Sequence, residues 1–248
     1  MQHSSETHRQ YDLPDRPWFL HQTWENVLFA HWPVKKDVLE PFIPRNLQLD
    51  TYHDSAWISL LSFFVDNLHP RAHPRAMVPF PGIRAFPEVN LRTYVTRFDR
   101  PGVWFFSLDA GNALAVALAR RFFRLPYYRA KVHFERGSTG AHVSLTRCHP
   151  KHPPYQLDVN YRATSDVFES QKGSLTSWLT DRYCLFTTAH GRLYRGDIHH
   201  RPFALQEAEA TFRTNTLITS LCESPLTPPR LHYTQQQHVH IWPLVIDE

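Results

Sequence analysis

A chain of 248 residues, 42% hydrophobic and 20% charged, can bury a sizeable core as one large domain or two small ones. No run approaches the roughly 18 apolar residues of a membrane-spanning helix, and the polar opening MQHSSETHRQ lacks an apolar signal core, so a cytoplasmic protein with no membrane partner is expected. Lys and Arg outnumber Asp and Glu by 27 to 23, but they are scattered rather than gathered into one tract, which argues against a nucleic-acid partner.

Residues 1–17 read as a polar, mobile arm, and residues 18–248 as one domain without linker or repeat. The aromatic stretch 18–32 predicts one or two strands. Residues 34–43, flanked by Pro33 and Pro44, predict a short amphipathic helix with Val34, Val38 and Phe42 on one side. Two strand-like runs follow, around 47–49 and 56–65, and then a proline-rich loop over 69–82. Residues 86–97 and 103–108 form the clearest strand pair, turned by Phe98-Asp99-Arg100-Pro101-Gly102. Asp109 is expected to cap a helix over 110–123 that Pro126 ends. Residues 129–135 and 142–147 predict a hairpin, and Ser174 predicts the cap of a helix running toward Tyr183. Strands are expected at 192–198 and 203–213, a short helix at 215–222, and a last strand at 238–246, placed at a sheet edge by Pro243. Twenty prolines against eight glycines, with 14% aromatics, agree with a mainly antiparallel β domain carrying three or four helices.

Scarce glycine and the absence of G-x-G-x-x-G and G-x-x-x-x-G-K-[ST] strings speak against the common ATP- and NAD-binding folds, and no cofactor is expected. Cys148, Cys184 and Cys222 form no C-x-x-C pair and read as reduced thiols. His238 and His240 share a strand face, and His149 and His152 lie close together. None of the seventeen histidines follows a metal-ligand spacing, so no metal site is assigned.

Alternation in FPEVNLRTYV puts Glu88, Asn90, Arg92 and Tyr94 on one strand face and Val89, Leu91, Thr93 and Val95 on the other. A solvated face would alternate in the same way. An acid, an amide, a guanidinium and a phenol side by side, on a strand between a proline-rich loop and an aromatic strand, instead point to the wall of a polar pocket. Arg129, Lys131, His133 and Glu135 share another face. There Lys131, between two cationic groups, is a weak candidate nucleophile, and exposed charge on a hairpin is the plainer account. Asp181 and Arg182 at a helix end, and His199 where His199 and His200 point to opposite faces, complete the candidate ligand-binding residues.

The strings FPEVNLRTYV, GVWFFSLDA, ALARRFFRLPYYRAKV and LTDRYCLF, with His31-Trp32, Ile43-Pro44 and the closing WPLVI, resemble the YqjF-like family of uncharacterised bacterial proteins. That domain of unknown function is grouped with the acetoacetate decarboxylase-like superfamily. The resemblance spans nearly the whole chain and implies a single, partly closed, cone-like β-barrel with helices outside and a polar cavity within. The decarboxylases form a Schiff base on one of two adjacent lysines, the second of which activates the first. At the corresponding stretch this chain reads Leu125-Pro126-Tyr127-Tyr128, and a phenol forms no imine.

Three readings follow. The first is a barrel that binds a small carboxylate or carbonyl compound through Glu88, Asn90, Arg92, Tyr94, Tyr127 and Asp181 or Arg182, with no covalent chemistry. The second is a lyase, isomerase or hydrolase acting at a carbonyl on the same cavity, with Glu88 as acid/base, Arg92 stabilising an oxyanion and Tyr127 giving a proton. The third is a protein–protein module that docks through the loop at 69–82.

Overall fold

The aromatic and apolar runs Leu20–Val34, Ala56–Pro70 and Phe86–Arg97 fold as strands whose two faces are both largely covered, which is why polar residues could alternate along the last of them without marking solvent. The computed structural model describes residues 8–71, 82–83, 85–221 and 227–247. The first half of the chain gives β1 (Leu20–Val34), α1 (Lys36–Leu39), β2 (Gln48–Leu49), β3 (Ala56–Pro70), β4 (Phe86–Arg97), β5 (Arg100–Ala110) and α2 (Ala113–Leu118). The second half gives β6 (Tyr127–Arg136), β7 (Gly140–Arg147), β8 (Gln156–Ala163), α3 (Leu175–Thr180), β9 (Cys184–Ala189), β10 (Arg192–His199), β11 (Gln206–Asn215), α4 (Thr216–Thr219), β12 (Arg230–Ile241) and β13 (Val245–Ile246). Among the described residues no helix is long and apolar enough to cross a membrane.

Strand pairing closes two circuits. The first runs β12-β1-β3-β4-β5-β9-β10 and returns to β12, the β5–β9 contact being a short parallel pair. The second leaves β5 through β6, β7, β8 and β11 and also returns to β12, again through a parallel β5–β6 pair. The barrel is therefore mainly antiparallel and partly closed, with two junctions parallel.

The second circuit encloses an aliphatic core. Leu28, Leu60, Val89 and Leu91 pack there against Val143, Leu145, Leu157 and Val159 of the outer strands. At its top, β1 bulges at Asn26, which takes a positive φ of 50°. The Asn26 side chain donates to the Tyr233 hydroxyl at 2.8 Å, and its carbonyl accepts from Tyr161 Oη at 2.6 Å. Both buried phenols thereby find partners.

Several expectations need correction. Asp109 belongs to β5, where the buried Arg147 grips it with two bonds of 2.6 Å. The cap of α2 is Asn112, whose side chain accepts from the Ala115 amide. The helix expected over 110–123 is six α-helical residues followed by a widened turn, Ala119–Phe123. β8 and β9 were not foreseen. The last long strand begins at Arg230 rather than 238 and lies inside the sheet, between β1 and both β10 and β11; the chain breaks only at 242–244. Within the lead, Arg16 pairs with Asp197 at 3.2 Å and its carbonyl accepts from the Trp242 indole at 2.6 Å. Of the proline-rich loop, 69–70 extend β3, while 72–81, like residues 1–7, lie outside the described residues.

Candidate functional site

Register, rather than the strand alone, decides what meets β4. Opposite residues of antiparallel strands share a face, so Glu88, Asn90, Arg92 and Tyr94 look the same way as Phe63, Leu61 and Ser59 of β3. One strand further, Phe29 and His31 of β1 stand opposite Leu61 and Ser59, and His232 of β12 stands opposite Phe29. This face lines the interior of the first circuit. All four β4 side chains are buried, Arg92 at 6% exposure and Glu88 at 4%. They form a polar layer between two apolar clusters. One holds Phe29, Leu61, Phe63 and Phe203, and the other Trp57, Tyr94, Leu108, Leu179 and Leu185.

The layer has two halves. In the first, the Tyr127 hydroxyl donates to both oxygens of Glu88, at 3.2 and 3.1 Å. Tyr127 is only half-buried as a residue, but its phenol end is enclosed against Glu88. Burial pushes the Glu88 carboxyl up to about 7, against hydrogen bonds from Tyr127 and Asn90 that favour its charged form. The Tyr127 phenol is held well above its ordinary value, first by burial and then by the Glu88 charge. Near neutral pH, Glu88 thus exchanges its proton while Tyr127 keeps its own.

In the second half, Arg92 Nη2 donates to the Leu179 carbonyl at 3.3 Å, and the Tyr94 hydroxyl donates to the same oxygen at 2.9 Å. Tyr94 Oη also lies 2.5 Å from Ser59 Oγ, which is 2.6 Å from His31 Nδ1. Burial lowers the tendency of Arg92 to hold its proton; the Tyr94 contact opposes this and the Arg182 charge adds to it. Burial likewise keeps His31 neutral, helped by His232 and Arg92, and lowers His232 to about 4. Among the described residues, buried atoms around this half without a hydrogen-bond partner include Arg92 Nε, Asn90 Oδ1, His31 Nε2, Arg182 Nη2 and His232 Nδ1.

Glu88 and Arg92 do not touch. Four residues along a strand separate their Cα atoms by about 13 Å, with Asn90 on the rung between. The predicted residues therefore meet as two groups on one wall. Arg182 joins the second group from α3's far end, its guanidinium 4.9 Å from the Tyr94 ring centroid and its Nη1 2.6 Å from Asp50 Oδ2. Asp181 does not join it, because its carboxylate accepts from Ser177 Oγ at 2.7 Å and Ser170 Oγ at 3.4 Å. Its carboxyl is raised by burial. His199 turns to the N-terminal lead, where Arg9 Nη1 lies 3.2 Å from its Nδ1. Its neighbour His200 is the buried one, against Tyr183 and Phe203, and burial lowers it to about 3. Lys131 is exposed on the outer face of β6, opposite Thr146 of β7, in a surface groove of about 400 Å³ away from the polar layer.

Sequence reading missed His31, Ser59 and His232. The signal for His31 was present, since it follows Phe29 by two in an apolar strand. Nothing local tied Ser59 or His232 to the same wall, because their neighbours come from register with β1.

The family DUF2071, described as an uncharacterized conserved protein, matches residues 21–238. The uncharacterized protein YqjF of Bacillus subtilis (strain 168) is 45% identical over 237 residues, which cover 95% of this chain and 96% of that one. Among solved structures, the enduracididine biosynthesis enzyme MppR in complex with pyruvate superposes with a TM-score of 0.62 at 15% identity, covering 98% of this chain and 94% of its own. The acetoacetate decarboxylase of Legionella pneumophila superposes with a TM-score of 0.60 at 9% identity, with coverages of 98% and 94%. An acetoacetate decarboxylase-like enzyme from Sphingomonas wittichii RW1 gives 0.59 at 13% identity, with coverages of 94% and 94%. At these identities the likeness is one of fold.

Proposed function

This chain belongs to the DUF2071 family, and we propose that the interior of its first circuit binds a small carboxylate or carbonyl compound without forming an imine. The observation that carries this reading is the uncommitted chemistry around Arg92. The guanidinium is buried against a carbonyl, the Tyr94 ring and a second arginine; among the described residues it meets no carboxylate and its Nε has no partner. A buried charge without a counter-charge costs several kcal/mol, and an anion bound there would recover that cost. Asn90 Oδ1 and His31 Nε2, equally unpartnered, supply further polar contacts for a carbonyl or hydroxyl group.

For imine chemistry the interior offers no lysine. Lys35, Lys131, Lys151 and Lys172 are exposed and Lys36 is only partly covered, so none of the five lysines lies in the interior. Keto acids join a carboxylate to a carbonyl, and pyruvate is the ligand held by MppR, whose fold this chain shares. Pyruvate and its uncharged amide are therefore the paired probes. Pyruvate should raise the melting temperature of the wild type by several degrees at saturating concentration, the amide should not, and Arg92→Ala should lose the response while keeping its near-ultraviolet circular dichroism. An undiminished response in Arg92→Ala, or a borohydride-trapped adduct on any lysine, would overturn the reading.

A second reading is favoured by the Glu88–Tyr127 pair. A carboxyl at about 7 can take a proton from carbon beside a carbonyl and return it, while Tyr127 keeps its proton for hydrogen bonding. Exchange of the α-hydrogens of a keto acid into deuterated water, followed by nuclear magnetic resonance, would report this step. Exchange that persists in Glu88→Gln would exclude Glu88 as the base.

A further inference from the structure

In the densest basic run of the sequence, Arg120-Arg121-Phe122-Phe123-Arg124, Phe123 packs against the two interior clusters, while the three arginines are absent from the polar layer. It falls on the widened turn Ala119–Phe123 that continues α2, and the turn ends with Arg124 in the left-handed region at φ 53°. Widened turns of this kind recur at functional sites. Here the turn sets Arg120, Arg121 and Arg124 around one concavity of about 680 Å³, whose walls include Trp104, Phe106 and Tyr128. A neighbouring hollow of about 530 Å³ shares Arg120 and Arg121 and adds Arg129.

Elsewhere in the chain arginines meet carboxylates, as in Arg147–Asp109, Arg182–Asp50, Arg97–Asp247 and Arg195–Asp247. The three arginines of this concavity, and Arg129 of the neighbouring hollow, are placed differently. Arg120 Nη1 donates to the Tyr127 carbonyl at 2.7 Å, Arg121 lies 5.8 Å from the Phe122 ring centroid, and Arg124 lies 4.4 Å from that of Tyr194. Among the described residues, no ion pair to a carboxylate involves any of the four. Several unneutralised guanidinium groups thus border an aromatic-walled hollow of the size that small ligands occupy.

We propose that this concavity binds a small phosphorylated molecule with a planar ring, independently of the interior site. Three or more positive charges call for more than the single charge of a carboxylate. A phosphate monoester carries about −1.5 to −2 at neutral pH and offers three acceptor oxygens to guanidinium forks. Trp104, Phe106 and Tyr128 give a ring an apolar surface that a phosphate alone would not use.

Calorimetric titration of the full chain with adenosine monophosphate, adenosine and ribose 5-phosphate tests this. Adenosine monophosphate should bind saturably and lose affinity as salt rises, with adenosine and ribose 5-phosphate each at least about tenfold weaker. Arg121→Ala, at an exposed position, should weaken adenosine monophosphate about tenfold, whereas Arg162→Ala on β8, which lines neither hollow, should leave it within about twofold. The proposal fails if adenosine monophosphate does not saturate, if ribose 5-phosphate binds as well, or if the two variants behave alike. It also fails if a single-stranded RNA 20-mer binds more than about tenfold tighter than the mononucleotide, which would make the surface a nucleic-acid groove.

Discussion

Burial, rather than a neighbouring charge, governs the proton of Glu88, and that gives the residue a measurable thermodynamic signature. Its carboxyl rises from 4.5 to about 7 on folding. Below 4.5 both the folded and unfolded chains hold the proton. Between 4.5 and about 7 the unfolded chain releases it first, so the folded state loses stability as pH rises through this window. Glu88→Gln, which imitates the protonated acid, should escape the loss. Denaturant unfolding at pH 4.5 and 7.5 should show the variant gaining on the wild type by about 3 kcal/mol across the interval, an order-of-magnitude figure from the size of the shift. Parallel profiles would mean that Glu88 ionises as an exposed acid does. Alternation along FPEVNLRTYV was enough to place Glu88, Asn90, Arg92 and Tyr94 on one side. It could not place Tyr127 against Glu88, because that contact depends on the parallel pairing of Leu108 with Tyr127.

At the scale of elements, what holds the outer strands to the barrel wall is partly polar. Asp109 of β5 and Arg147 of β7 form a fork-to-fork pair with exposures of 0% and 3%, and the guanidinium is stacked between the rings of Tyr128 and Tyr155. Removing one partner strands the other charge in a dry site. Asp109→Asn should therefore destabilise by about 3–5 kcal/mol, and Arg147→Met alone by a similar amount. The double variant should cost well under the sum of the two, read from a denaturation cycle, since it leaves no orphaned ion. Additive losses would show that the pair is not coupled. Asp109 read as a helix cap in sequence because capping residues and buried strand acids look alike locally. The distinction came from a partner 38 positions away. Short helices were equally hard to bound: α2 ends after six residues because the chain widens into Ala119–Phe123 rather than because of a breaker, the nearest proline being Pro126.

For the whole molecule, closure rests on few contacts. The first circuit is completed between β5 and β9 at Val103–Leu185 and Trp104–Phe186, with Gly102 immediately before them. A Cβ at Gly102 would come within 2.7 Å of Cys184 Sγ and Phe186 Cε2 and 3.0 Å of the Cys184 carbonyl oxygen. Gly102→Val should part these strands, costing about 2 kcal/mol or more, with amide exchange in 184–189 rising more than in β7 and β8. Uniform loss of protection would instead mean that both circuits open together.

Sequence alone determined the class of this fold, its principal strand pair and hairpin, and the chemistry of one strand face, since alternation and turn residues act over a few positions. Tertiary structure decided which face was the interior, which of His199 and His200 was buried, and that Lys131 stood outside. Those outcomes depend on which strands lie side by side, and pairing joins residues that the chain itself keeps far apart.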